Sequence, residues 1–141
     1  MIFALTSGAK MPQLANLILT DRAATPVNHT LVPRDITNGV GAVVESSGVP
    51  IGETRFTVGV TKTASGRYKT TARLQVPIVV NETINGVTRP TVARTGYADV
   101  TFTFDETSTE QERKDLIGMF QSSLDSSKWT NDVLVKLQSV Y

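Results

Sequence analysis

The chain has 141 residues, a net charge of +1, no cysteine, 40% hydrophobic and 19% charged residues. That length holds one domain with a core but not two, and that composition is globular rather than disordered. Without thiols there is no disulfide framework, thiolate nucleophile or thiolate metal site, and no apolar run approaches the roughly 20 residues that span a bilayer.

In chain order, "MIFALTSGAK" (residues 1–10) reads as a short N-terminal extension. It has no basic flank before its apolar residues, and too few of them together for a signal peptide. Residues 11–34 are expected to form a β-hairpin, with "QLANLILT" and "HTLVPRD" as its arms and "DRAATPVN" as a long turn. His29, the sole histidine, falls beside that turn and reads as a solvated turn residue. The sequons "NHT" and "NET" read as chance matches.

Residues 40–104 carry the sheet. An Asn38-Gly39 turn signal leads into Val40–Val44. "ETRFTVGVTK" alternates Phe56, Val58 and Val60 against Arg55, Thr57, Gly59 and Thr61. "TASG" then turns the chain into "RYKTTARLQVPIVV", where Ala72, Leu74 and Val76 oppose Lys69, Thr71, Arg73 and Gln75. "NETINGVTRP" (81–90) is expected to be a polar loop. In "GYADVTFTF" the period of 2 places Tyr97, Asp99, Thr101 and Thr103 on one face and Ala98, Val100, Phe102 and Phe104 on the other.

After Phe104 the period becomes 3.6, and residues 108–139 are expected to form two helices. Ser108 with Gln111, or Thr109 with Glu112, can close a capping box, and Ser126 or Ser127 can cap the second helix. Leu116, Phe120 and Leu124 step along the first apolar side, and Trp129, Val133, Leu134 and Leu137 form the second. Met119 and Trp129 read as packing residues. The fold class is α+β, an antiparallel meander followed by helices that cover its apolar face or a partner's. One layer of sheet and two modest helices bury little, so pairing with a second subunit is expected.

Enzyme signals are poor. One histidine beside a turn is a weak base, no nucleotide-binding, zinc-protease or calcium-loop pattern occurs, and Asp105 with Glu106 suits a helix N-terminus without further chemistry. No cofactor, metal or small-molecule substrate is expected. Charge distribution says more than net charge. Thr54–Asn81 has no acidic residue and contains Arg55, Lys62, Arg67, Lys69 and Arg73, whereas Asp105–Asp132 is mostly acidic. If the alternating strands are neighbours, Lys69, Thr71, Arg73, Thr57, Tyr97, Asp99 and Thr101 converge on one open surface. Lysine and arginine there neutralise phosphates, tyrosine stacks on unpaired bases, and a carboxylate accepts from base amino groups.

These residues resemble the coat proteins of single-stranded RNA bacteriophages, the levivirus type, nearest the Q-beta-like branch. "GYADVTFTFDETSTEQER" carries the likeness most strongly. "LVPRDITNGVGAVVESSGVP", "TRFTVGVTK", "RYKTTARLQVP" and the terminal Tyr141 follow in the family's order. The resemblance implies an N-terminal hairpin, a five-stranded sheet and two C-terminal helices. It further implies an interlocked homodimer with a continuous ten-stranded sheet. Such dimers build an icosahedral virion shell around genomic RNA in the bacterial cytoplasm, and their inward face grips an RNA hairpin to repress replicase translation. By position, Lys69, Thr71, Arg73, Tyr97, Asp99 and Thr101 take RNA-contacting roles, Thr57 lies near an adenine pocket, and Arg55 and Arg67 support phosphate binding. The segment Asn81, Glu82, Thr83, Ile84, Asn85, Gly86, Val87, Thr88, Arg89 and Pro90 corresponds to the family's inter-dimer loop. It carries no cysteine, so shell disulfides are excluded. Gly59 stands where many relatives have a serine that contacts a base, and Thr71 replaces the longer glutamine of the Q-beta type. The alternative is a non-viral or sequence-independent RNA-binding dimer of the same fold. Membrane partners are not expected.

Overall fold

The computed structural model describes residues 13–46 and 48–140, so the expected N-terminal extension lies outside the described residues. Six strands follow one another: β1 (Leu17–Thr20), β2 (Asn28–Thr37), β3 (Val40–Glu45), β4 (Thr54–Lys62), β5 (Tyr68–Ile84) and β6 (Val87–Phe104). Each pairs antiparallel with the next, in the order β1-β2-β3-β4-β5-β6. The meander follows from its turns. Asn38 and Gly39, with φ of 52° and 77°, join β2 to β3, the left-handed pair that a two-residue hairpin turn requires. Gly66, at φ 87°, closes the β4–β5 turn, where the Thr63 N–H donates to the Arg67 carbonyl at 2.7 Å.

Three expectations are corrected. The hairpin is not separate from a five-stranded sheet, because β2 pairs with both β1 and β3 and makes one sheet of six. Only Leu17–Thr20 of the first arm is strand. Residues 81–90 are not a loop. Strands β5 and β6 run on to a two-residue turn at Asn85 and Gly86, with φ of 53° and 78°, and Thr83 and Thr88 hydroxyls meet across it at 2.8 Å. The β-branched Thr83, Ile84, Val87 and Thr88 around that turn favour strand. Pro90 is tolerated because β6 is an edge strand.

The third correction is at the C-terminus. One α-helix forms, α1 (Glu110–Ser123), with Thr109 as its N-cap and a full capping box to Glu112. Ser108 does not cap it. The expected second helix is present but short and not α: it is a six-residue π-helix, Thr130–Val135, in which the Lys136 N–H donates to the Asn131 carbonyl at 3.0 Å. Neither Ser126 nor Ser127 caps it; Ser127 instead donates to the Asp125 carboxylate through its N–H and hydroxyl, both at 2.8 Å. Asn131, Asp132 and three β-branched residues, Thr130, Val133 and Val135, are poor α-helix formers, and Leu137 in the left-handed region (φ 59°) ends the segment.

Leu31, Ala42, Val43 and Val44 form the buried core, around β2 and β3. The helix side of β4–β6 carries Phe56, Leu74 and Ala98 in one cross-strand row, then Val58, Ala72 and Val100 in the next. α1 reaches this side with Phe120, which meets Phe102 edge-on at 5.7 Å. It covers little else, and Val60 (58%) and Met119 (70%) are left exposed on sheet and helix. Side chains this apolar each forgo about 1.5–3 kcal/mol by staying in water.

Candidate nucleic-acid interface

On the opposite side of the same three strands, the register sets polar residues in rows. Arg55, Gln75 and Tyr97 form one row and Thr57, Arg73 and Asp99 the next. Gly59, Thr71 and Thr101 follow, then Thr61, Lys69 and Thr103. The structure thus brings together eight of the nine sequence-predicted RNA-facing residues on one open surface. Arg67 stands apart in the β4–β5 turn, beside Asp105.

Arg73 organises the centre. Its Nε lies 3.4 Å from Asp99 Oδ1, and its guanidinium carbon sits 4.7 Å from the centre of the Tyr97 ring. Arginine, aspartate and tyrosine are held by pairing across and along two strands. Both members of the ion pair are more than half exposed (52% and 64%). A pair so exposed is worth about 0.2–1 kcal/mol, less than a charge-assisted bidentate contact to phosphate, so an anion can draw Arg73 from Asp99 at small cost. Arg55 is more loosely held, 3.9 Å from Asp35. Lys69 makes no ion pair among the described residues.

Two shallow hollows open here. One, of about 200 Å³, is walled by Arg55, Thr57, Arg73 and Gln75. A second, of about 390 Å³, continues from Arg55 and Gln75 to Pro50, Ile51, Pro77 and Thr95. Gln75 and the Pro50–Ile51 turn were not singled out in the sequence, although Gln75 shares the alternation of Arg73 and Lys69. Gly59 is buried for a local reason. A Cβ there would lie 3.0 Å from Val40 Cγ2 and 3.2 Å from the Gly39 carbonyl, so Val40 and the β2–β3 turn occupy the place a side chain would take.

Acidic groups outside this face have structural work. Asp105 accepts from the Thr107 N–H at 3.0 Å and hydroxyl at 2.8 Å, and those bonds, with Arg67 nearby, lower its pKa. Glu106 lies 3.5 Å from Lys62. Among the described residues no cluster of acidic and histidine side chains is arranged to hold a metal.

The sequence pattern of the levivirus coat proteins matches residues 12–141. The chain belongs to that family. The capsid protein of Pseudomonas phage PRR1 is 52% identical over 130 residues, which is 92% of this chain and 99% of that one. The capsid protein of Escherichia virus Qbeta is 42% identical over 91 residues, 60% of this chain and 67% of that one. Among solved structures, the virus-like particle of bacteriophage ESE058 has 28% identity and a TM-score of 0.83, covering 92% of this chain and 100% of that chain. The capsid protein of bacteriophage GA, at 22% identity and TM-score 0.78, shares the fold. The family and these relatives are structural capsid proteins.

Proposed function

We propose that this coat protein is the shell subunit of a single-stranded RNA phage virion. Its dimers assemble in the bacterial cytoplasm into an icosahedral shell, and the row Thr57–Arg73–Asp99 with Tyr97 and Lys69 faces and binds the packaged RNA. The observation that carries the reading is the segregation of the two faces of β4–β6. One side is apolar and largely bare, the other is polar with Arg73 set on Tyr97 and Lys69 unpaired among the described residues. The bare helix side and the free 18-residue edge of β6 support a second copy, whose β6 would continue the sheet and whose helix would cover the exposed apolar residues.

Expression of the chain alone, followed by electron microscopy and nucleic-acid absorbance of the purified protein, tests the reading. RNA-filled particles are expected. Empty particles would remove the RNA-binding part, and soluble dimers under all assembly conditions would remove the shell.

A more specific activity is proposed for the same face, repression of replicase translation by binding an operator RNA hairpin. Tyr97 offers a ring to an unpaired base and Asp99 an acceptor to its amino group. A sequence-independent reading is favoured at one point: with Val40 filling the space above Gly59, that position offers a base no hydroxyl. Competition of the operator hairpin against unrelated hairpins for the dimer separates the two. The segment 81–90 is proposed as the contact between neighbouring dimers, presented as the tip of a strand hairpin.

A further inference from the structure

A second polar cluster lies on the helix side of the sheet, away from the charged face. His29 Nε2 is 2.8 Å from Asp21 Oδ2, and its Nδ1 is 3.0 Å and 3.2 Å from the two Glu45 oxygens. Asp21 belongs to the β1–β2 turn, where it also accepts from the Ala23 and Val27 N–H groups, and Glu45 ends β3. The arrangement has a definite proton count. A neutral imidazole has one donor and one acceptor, whereas two ionised carboxylates only accept. Both contacts are satisfied together only if the ring is an imidazolium donating from both nitrogens. Among the described residues no other charge faces it: β4 and β5 bring Thr54, Leu74 and Val76 to the adjoining hollow, β1 brings Leu19 and Thr20, and the neighbouring Arg22 donates to Asn131 Oδ1 at 2.8 Å.

We propose that His29 is a proton-operated pin, which fastens the β1–β2 hairpin to the end of β3 while protonated and releases it when the proton leaves. Loss of the proton turns one of the two hydrogen bonds into a lone pair facing a carboxylate. Either Asp21 or Glu45 is then repelled, and the turn that carries Asp21 loosens. Through Arg22 and Asn131 the same turn touches the C-terminal segment, so release reaches that segment too. The hydrogen bonds from His29 hold Asp21 down to about 2, and those to Asp21 and then Glu45 raise His29 above 6.5. The raised histidine contributes stability fully below about pH 6.5 and loses it as pH climbs through the folded value. The lowered aspartate contributes above 3.8 and loses it as pH falls toward 2. The pin therefore holds between about pH 4 and 6.5 and opens on the alkaline side.

Hydrogen exchange with mass-spectrometric readout on the full chain, at pH 6 and pH 8.5 and corrected for intrinsic exchange, tests this. Peptides covering residues 19–31 are expected to exchange several-fold faster at the higher pH, and those covering 129–136 more weakly so, with β5 unchanged. Glu45→Gln is the decisive variant. Its amide can donate to Nδ1 while Nε2–H donates to Asp21, so a neutral ring satisfies both contacts and the pH dependence should vanish without loss of the fold. Equal exchange at both pH values in the parent chain, or full pH dependence in Glu45→Gln, would overturn the proposal.

Discussion

Gly59 offers the sharpest test of how the polar face is built. Replacing it with serine would add a hydroxyl to that face, and on polarity alone would be expected to suit it. The structure argues for a net loss. The added Cβ would stand 3.0 Å from Val40 Cγ2, 3.2 Å from the Gly39 carbonyl and 3.3 Å from Val40 Cα. Two of those three atoms are backbone, held by the Asn38-Gly39 turn and by the Val40–Gly59 pairing of β3 with β4, so side-chain rotation relieves only one. Inserting atoms into such a place costs about 1–3 kcal/mol. Against that, removing a glycine from a strand interior returns about 0.5–1 kcal/mol. About 1 kcal/mol of destabilisation should remain, which for a chain of this size moves the midpoint of thermal unfolding down by about 2–4 °C. Val40→Ala removes the one contact that can be removed, so Gly59→Ser should cost less in that background. A coupling of at least about 0.5 kcal/mol is expected from residues in direct contact. Urea or thermal unfolding of all four proteins measures it. Strict additivity, or a Gly59→Ser midpoint at or above the parent's, would refute the steric account.

Three further outcomes follow from the same geometry. Arg73→Ala should weaken hairpin-RNA binding and lower the slope of log affinity against log salt by about 1, as for one lost phosphate contact, leaving particle yield near normal; an unchanged slope measured by filter binding would place Arg73 outside the contact. Thr109→Ala removes the hydroxyl that accepts from the Glu112 N–H at 3.2 Å and should cost about 1 kcal/mol in urea unfolding; an unchanged midpoint would show that the cap contributes nothing. Gly86→Ala forces a side chain into the left-handed region at φ 78° and should cost about 1 kcal/mol locally. Hydrogen exchange would show the loss confined to residues 81–90, since that hairpin tip has no core beneath it; a fall in global stability of the same size would contradict this.

The strands that carry the site were legible because each has one wet and one apolar face, so β4, β5 and β6 announce both their period and their orientation. A capping box was legible as a local pattern four residues long, with the structure choosing Thr109 and Glu112 over Ser108 and Gln111. What stayed hidden lacks such a signature. Residues 81–90 look like a loop because a hairpin tip exposed on both faces has no alternation, leaving only the β-branched residues around Asn85-Gly86 as a signal. The segment after Asp125 has enough apolar residues for a helix, but its asparagine, aspartate and β-branched residues work against a regular α-helix, and a short π-helix forms instead. His29 was misread for another reason. Its partners lie 8 and 16 residues away, and only the β1–β2–β3 pairing brings them to it. Sequence period also could not reveal that Gly59 is glycine because Val40 sits over it.

The alternation in β6 has a consequence for how this coat protein tolerates change. Asp99 and Val100 are neighbours in sequence, yet one stands beside Arg73 on the charged face and the other lies in the row with Val58 and Ala72. A period of 2 lets one strand serve two surfaces with separate demands. Apart from the crowded Gly59, the polar side can exchange residues at a cost of tenths of a kcal/mol, because its contacts are exposed and weakly coupled. The apolar side cannot, since a charge placed there would face whatever covers the sheet. The exposed polar positions of this face, such as Thr71 and Thr101, are therefore freer to change than Gly59, which Val40 crowds, while the apolar side stays under packing constraint. Drift is limited by register: one residue of slip in β6 would exchange the two faces completely. The 17 residues of β5 pair with the 18 of β6 well past the end of β4, and the one-residue register shift between Ile78 and Val79 lies in that outer arm, beyond the rows that hold Tyr97 and Asp99. Seven continuous pairs, from Thr71–Thr101 through Arg73–Asp99 to Pro77–Thr95, keep one register on either side of Tyr97 and Asp99, and that continuity fixes which side of the sheet the two present.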